Sequence, residues 1–197
     1  MDIDKVLLDK LHEIEPDATF EVHLPRVQSS SGAIYFAKIG APSETVQYIG
    51  EANSLNAMNR AAPGIAPRVL VFGTTEGVPY FISEYRDMYK LFSNPGAANE
   101  LAKRMATEMH AQPIPDGFGF PVPTYCGPTR LQNGRFKTWE ECYSSKIEDL
   151  LTQLQRKGRR YLHLCMKGEI VKNECVLLVF FYCYVNPNDA TELYRNY

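Results

Sequence analysis

A lysine inside an apolar strand needs a partner of opposite charge, because an unpaired ammonium is costly to take out of water. Lys38 sits in such a stretch, Ala33-Ile34-Tyr35-Phe36-Ala37-Lys38-Ile39, and Glu51 on the next helical segment can be that partner. A lysine held by a carboxylate is the first half of what ATP-dependent phosphoryl transfer asks of a protein. The rest is a loop over the phosphates, an Asp that orients the accepting hydroxyl, and acidic or amide ligands for magnesium. Ser29-Ser30-Ser31-Gly32 marks a hairpin tip whose backbone N–H groups, at Ser31 and Gly32 above all, could cradle phosphate oxygens. Glu84-Tyr85-Arg86 follows directly on an apolar strand, where extended backbone could pair with an adenine ring. Each feature also has a plainer reading: Lys38 as an edge-strand lysine facing water, the serine run as a simple turn, and Glu84 to Arg86 as a strand end. His110 reads as a helix-terminal histidine favoured by the helix dipole.

The elements that must position these residues are legible in hydrophobic period. Val6, Leu7, Leu11 and Ile14 recur at helical intervals and Pro16 closes the segment, so the chain begins with an amphipathic helix over residues 4–15. Phe20, Val22 and Leu24 then alternate with Glu21 and His23, which is the strand pattern, and residues 33–39 form a second strand after the serine-rich turn. Tyr48, Ala52, Leu55 and Met58 predict a helix over 45–59 that packs on the sheet, with Ser43 as its cap and Pro63-Gly64 beyond its end. Residues 68–72 and 79–83 are two more strands joined by Gly73-Thr74-Thr75-Glu76-Gly77. Leu101, Met105 and Met109 mark a helix over 97–111, and Trp139, Tyr143, Ile147, Leu150, Leu151 and Leu154 mark another over 138–156. Residues 113–128 between them are too rich in Pro and Gly for either regular element. The fold class that follows is α+β, an antiparallel sheet with a packed helix and then helices.

Composition narrows the partners. With 45% hydrophobic and 22% charged residues, the 197-residue chain can build a core. A net charge of −2 with scattered Lys and Arg offers no basic stripe for nucleic acid. The five cysteines form no C-x-x-C pair, so reduced thiols are expected rather than disulfides or zinc. The acidic start lacks a secretory signal, and the longest apolar run, the 11 residues from Cys175 to Val185, is too short for a membrane span of about 20 residues. A cytoplasmic protein is the expectation. That apolar run reads as a buried strand or an aggregation hazard.

In order along the chain, Phe36-Ala37-Lys38, Gly50-Glu51-Ala52-Asn53-Ser54-Leu55, Pro67-Arg68-Val69-Leu70 and Phe81-Ile82-Ser83-Glu84-Tyr85-Arg86-Asp87-Met88 resemble segments of the fructosamine-3-kinase and ketosamine-3-kinase family. The helix ending in Met109-His110 continues the likeness. Its most specific part is Phe118-Gly119-Phe120-Pro121-Val122-Pro123-Thr124-Tyr125-Cys126-Gly127-Pro128-Thr129 with the following Trp139-Glu140-Glu141-Cys142-Tyr143. The resemblance covers roughly residues 5–155. It implies a protein-kinase-like, two-lobed fold and phosphate transfer from ATP, with magnesium, to ketoamines such as glycated amines and proteins. It makes Lys38 the phosphate-binding lysine, Glu51 its helix partner, and Glu84, Tyr85 and Arg86 the adenine-facing hinge.

The same family carries a later His-Gly-Asp loop with an Asn five residues on, and a further Asp for magnesium. Here the later histidine is His163, with Cys165 two positions on and Ile170 at the place of the Asn; after Asp149 the one aspartate is Asp189. The expectation is therefore a kinase-like N-lobe over 1–86, a partial helical C-lobe over 87–156, and an atypical hydrophobic tail over 157–197, joined by altered splicing or read-through. Such a chain is a kinase homologue without turnover or, alternatively, a non-catalytic nucleotide- or partner-binding module. A relative of aminoglycoside or choline kinases is a third reading of the same fold.

Overall fold

The computed structural model describes residues 3–88, 90, 94–113 and 116–175. They fall into two compact units, Met1–Pro113 and Ile114–Tyr197.

The first unit is built on five antiparallel strands, β1 (Phe20–His23), β2 (Arg26–Ser29), β3 (Ile34–Ile39), β4 (Val69–Thr75) and β5 (Val78–Glu84), in the order β1-β2-β3-β5-β4. A helix lies on each face. α1 (Ile3–Ile14) ends where Pro16 could not continue it, and its Val6, Leu7 and Leu11 pack with Val27, Tyr35, Ala37, Tyr80 and Ile82. α2 (Thr45–Ala61) sets Tyr48 and Ala52 against Phe81 on the opposite face, with Phe36, Leu55, Val69 and Phe72 around them. Because side chains alternate along a strand, β3 sends Tyr35 and Ala37 under α1 and Phe36 and Lys38 toward α2.

Two local features depart from the sequence pattern. Ser43 does not cap α2: the chain enters through a 3-10 turn over Pro42–Glu44, and the Glu44 carboxylate accepts the Ala41 N–H at 2.7 Å. The sheet also has one more strand than its hydrophobic period suggests. β2 is four residues long and buries one apolar side chain, Val27, between the polar Arg26 and Gln28, so it carries almost no strand signature.

α3 (Pro95–Arg104) starts at Asn94, whose side chain accepts the Ala97 N–H at 3.1 Å, and runs on through a wider turn over Met105–Met109. It belongs to the first unit by contact. Arg104 Nη2 donates to the Pro63 carbonyl at 2.9 Å and Gln112 Nε2 to the Ala61 carbonyl at 3.2 Å, both at the end of α2. The first compact unit accordingly runs to Pro113.

In the second unit the Pro- and Gly-rich stretch is not wholly irregular. It forms two short ribbons, β6 (Phe118–Gly119) with β9 (Arg135–Phe136) and β7 (Thr124–Cys126) with β8 (Thr129–Leu131). Asn133 ties them together, donating to the Val122 carbonyl at 2.8 Å and Thr124 Oγ1 at 2.9 Å while accepting from Lys146. α4 (Trp139–Arg156) opens with a reciprocal cap between Thr138 and Glu141. Trp139 stands between Phe118 and Tyr143, at ring distances of 6.2 and 5.7 Å.

α5 (Leu162–Ile170) packs on α4 at Leu151: Cys165 is buried, and Gly168 lies so close to Leu151 that a Cβ there would collide with its methyl groups, while Trp139 and Leu150 of α4 stay exposed. The flanks of α5 that carry Leu162, Leu164, Met166 and Ile170 stay exposed among the described residues. Residues 176–185 lie outside the described residues. No helix among the described residues is long and apolar enough to cross a membrane.

The α1 face rests on Leu11, which is fully buried. Leu11→Ala is expected to cost about 2–5 kcal/mol, the range for emptying a core leucine site, as a lower urea midpoint at an unchanged slope. Asp9→Ala, on the exposed side of the same helix, is expected to stay within about 0.5 kcal/mol of wild type.

Candidate functional site

Lys38 and Glu51 meet. Lys38 Nζ donates to Glu51 Oε2 across the β3–α2 interface, the two side chains 26% and 37% exposed. The alternative in which Lys38 faces water at a sheet edge is excluded, since β3 is flanked by β2 and β5. Two aromatic rings complete the surroundings: Nζ stands 4.5 Å from the Tyr48 ring centroid and 5.4 Å from that of Phe81. Tyr48 lies one turn before Glu51 on α2. Burial pushes its phenol pKa up, with Glu44 and Glu51 adding to the effect, so the ring is neutral at physiological pH. Read from sequence alone, Tyr48 was just one apolar position of α2; the clue available was its place three residues before the glutamate expected to reach Lys38.

Glu84, Tyr85 and Arg86 close the other end of β5. Lys38 pairs with Phe81 and Tyr35 with Glu84, so Glu84 lies three register steps from Lys38, about 10 Å at 3.4 Å per residue. Its backbone N–H donates to the Arg68 carbonyl at 3.0 Å, and the Tyr85 N–H to the Ile34 carbonyl at 3.3 Å. Burial raises the Glu84 carboxyl, but the Arg68 amide at 2.8 Å and the Arg86 guanidinium at 2.7 Å outweigh it and hold the carboxyl below its usual range. The Arg26 guanidinium stands 6.0 Å from the Tyr85 ring.

Ser31 and Gly32 are not brought to Lys38. The register Arg26 to Phe36 and Gln28 to Ile34 puts the turn after β2 at the start of β3, whereas Lys38 is near its end. The turn beside Lys38 is Leu24-Pro25, whose Pro25 carbonyl accepts the Ala37 N–H at 2.8 Å. The serine turn, with Gly32 at φ 91°, is occupied elsewhere. Ser29 donates to Glu15 Oε2, Ser31 Oγ donates to Glu15 Oε1 at 3.0 Å, and the Ser31 N–H donates to Ser29 Oγ at 3.2 Å. This latch between α1 and the serine turn has no sequence signature, because it joins residues from separate elements.

Among the described residues no group of three His, Cys, Asp or Glu side chains is placed to hold a metal ion. The set present supplies a paired cation and a stretch of backbone.

The sequence profile of a family described as fructosamine kinase matches residues 8–177. That match runs past Arg156, where the motif resemblance stops, and takes in all of α5; residues 157–177 are therefore not foreign to the family. Among solved structures, a provisionally assigned fructosamine-3-kinase from Haemophilus somnus 129PT, determined at 2.32 Å, has the same fold with a TM-score of 0.60 and 17% identity. The alignment covers 85% of this chain and 61% of that one, so the chain spans about three fifths of its relative's length. No curated protein sequence matches.

The Glu15 latch makes stability depend on pH. The Ser29 hydrogen bond, with Tyr35 and Ser31 adding to it, holds the Glu15 carboxyl below its ordinary 4.5, while burial and then Glu15 itself push the Tyr35 phenol up to about 12. A depressed carboxyl stabilises the fold fully above its unfolded value and loses that contribution as pH falls through the folded value. Glu15→Gln is expected to melt below wild type at pH 7, with the gap closing as pH drops below 4.5, as read by thermal unfolding at pH 7 and pH 3.

Proposed function

Because the chain belongs to the fructosamine kinase family, whose members are kinases, we propose that Lys38 is the phosphate anchor of an ATP site evolved for phosphorylating ketoamines, fructosamines or ribulosamines on amines and proteins. The observation that carries this reading is the Lys38–Glu51 pair on the face of β3 that meets α2. An ammonium held by one carboxylate keeps further N–H donors for phosphate oxygens, and its glutamate fixes where they point. Glu84, Tyr85 and Arg86 would receive the adenine. Their distance from Lys38 along the sheet is on the scale of a nucleoside with its first phosphates. Bound ATP would supply the phosphoryl group; the chain's own part is to hold and orient it.

The 197 residues contain no His-Gly-Asp segment, and the described residues offer no magnesium cluster. Without a group that orients the hydroxyl and ligands that hold the metal, phosphoryl transfer loses most of its electrostatic stabilisation. This favours a second reading for the polypeptide as it stands: a kinase-derived module that binds nucleotide without turnover, in the cytoplasm, among glycated proteins.

The test combines binding and turnover. A fluorescent ATP analogue is expected to bind the chain and to lose roughly tenfold or more in affinity with Lys38→Met, as removing one charged hydrogen-bonding partner costs. Phosphorylation of a ketoamine in the presence of magnesium is expected to stay at background. Metal-dependent transfer that disappears in Lys38→Ala would show that the chain supplies the groups this reading finds missing.

A further inference from the structure

The Lys38 ammonium has more holding it than its glutamate. Tyr48 is 8% exposed, and its ring has room beside the ammonium because the residue that follows β3 has no side chain. At Gly40, whose N–H donates to the Pro79 carbonyl at 3.0 Å, a Cβ would fall 2.7 Å from Tyr48 Cε2 and 2.8 Å from Glu44 Oε2. Any other residue there would push the ring off its seat or shift the strand end. Tyr48 and Glu51 are separated by three positions on α2, so they project from the same side of the helix. The neighbouring Ala52 is fully buried against Phe81 and leaves α2 little freedom to roll.

We propose that Tyr48, seated on Gly40, is a positioning residue that fixes the direction of the Lys38 ammonium together with Glu51. The inference rests on reading Lys38 as the phosphate anchor. An ammonium has three N–H donors. Glu51 accepts one, and the faces of Tyr48 and Phe81, at 4.5 and 5.4 Å, attract the charge from another side. The remaining donor direction is then set by the protein before any ligand arrives. A neutral ring suits the task better than a second carboxylate, which would compete with a phosphate for the same charge. Gly40 acts on the anchor through the Tyr48 ring.

The test uses the full chain and a fluorescent ATP analogue, with the Lys38 Hε and Cε resonances as a direct report of the ring. Tyr48→Leu is expected to move the ring-shifted Lys38 Hε signal toward that of an exposed lysine and to weaken analogue binding about fivefold, within the range of an ammonium over an aromatic face. Tyr48→Phe is expected to restore both, since the ring and not the hydroxyl is in use. Gly40→Ala, which keeps the tyrosine but removes its seat, is expected to reproduce the Tyr48→Leu result and covers the case in which Tyr48→Leu fails to fold. An unchanged Lys38 Hε signal in Tyr48→Leu would overturn the proposal, as would a changed signal with wild-type affinity while Lys38→Met still abolishes binding. Wild-type affinity in Lys38→Met is a different failure, because it removes the phosphate-anchor reading itself.

Discussion

A positive charge placed inside a sheet constrains everything around it. Lys38 lies on a central strand between β2 and β5, where an unpaired ammonium would cost several kcal/mol. The helix that follows must therefore present a carboxylate at one height along its axis. Glu51 does so, and its position fixes both the rotation and the translation of α2 on the sheet. Ala52, one residue further, is fully buried with Phe81. The apolar packing of α2 and the electrostatics of Lys38 are thus two requirements met by one placement.

The opposite face follows a simpler rule. α1 buries Leu7 and Leu11 on Val27, Tyr35 and Ile82, its Lys10 ammonium lies 5.9 Å from the Tyr80 ring at the margin of that face, and Glu15, just past its end, is taken up by the serine turn after β2. The sheet is held between a helix whose buried side is apolar and one that shares its contact with an ion pair. A change that loosens the first lowers stability throughout the unit. A change in the second acts on the direction of one ammonium.

How much of this could be read from the residues depended on whether the signal was local. α1, α2, α4, β3 and β5 announce themselves through apolar side chains at a period of two or three to four, and the Lys38–Glu51 pair follows from the cost of burying a charge. β2 was hidden because four residues with one buried apolar side chain look like a turn. The serine turn was read as the phosphate loop for the same reason: without β2 in the count it stands as the tip after the first strand, a place that Leu24-Pro25 takes in the structure. α5 escaped notice because its buried side consists of Cys165 and Gly168, small residues that make no hydrophobic stripe. The short ribbons between residues 118 and 136 depend on Asn133 reaching across the loop, a contact no spacing rule encodes.

The sheet has two ends, and they are finished differently. β1 is four residues long, while β4, on the other side, runs for seven, Val69 to Thr75, with mostly half-buried side chains. A strand of that length with free backbone groups on one side is the usual template on which protein chains stack into fibrils. Its pairing with β5 shifts between Val69 and Val71, and such an irregularity bends the strand and increases its twist. An incoming strand would find straight, regularly spaced donors and acceptors for only part of the length. The interruption shortens the regular stretch that this outer strand offers to an incoming chain.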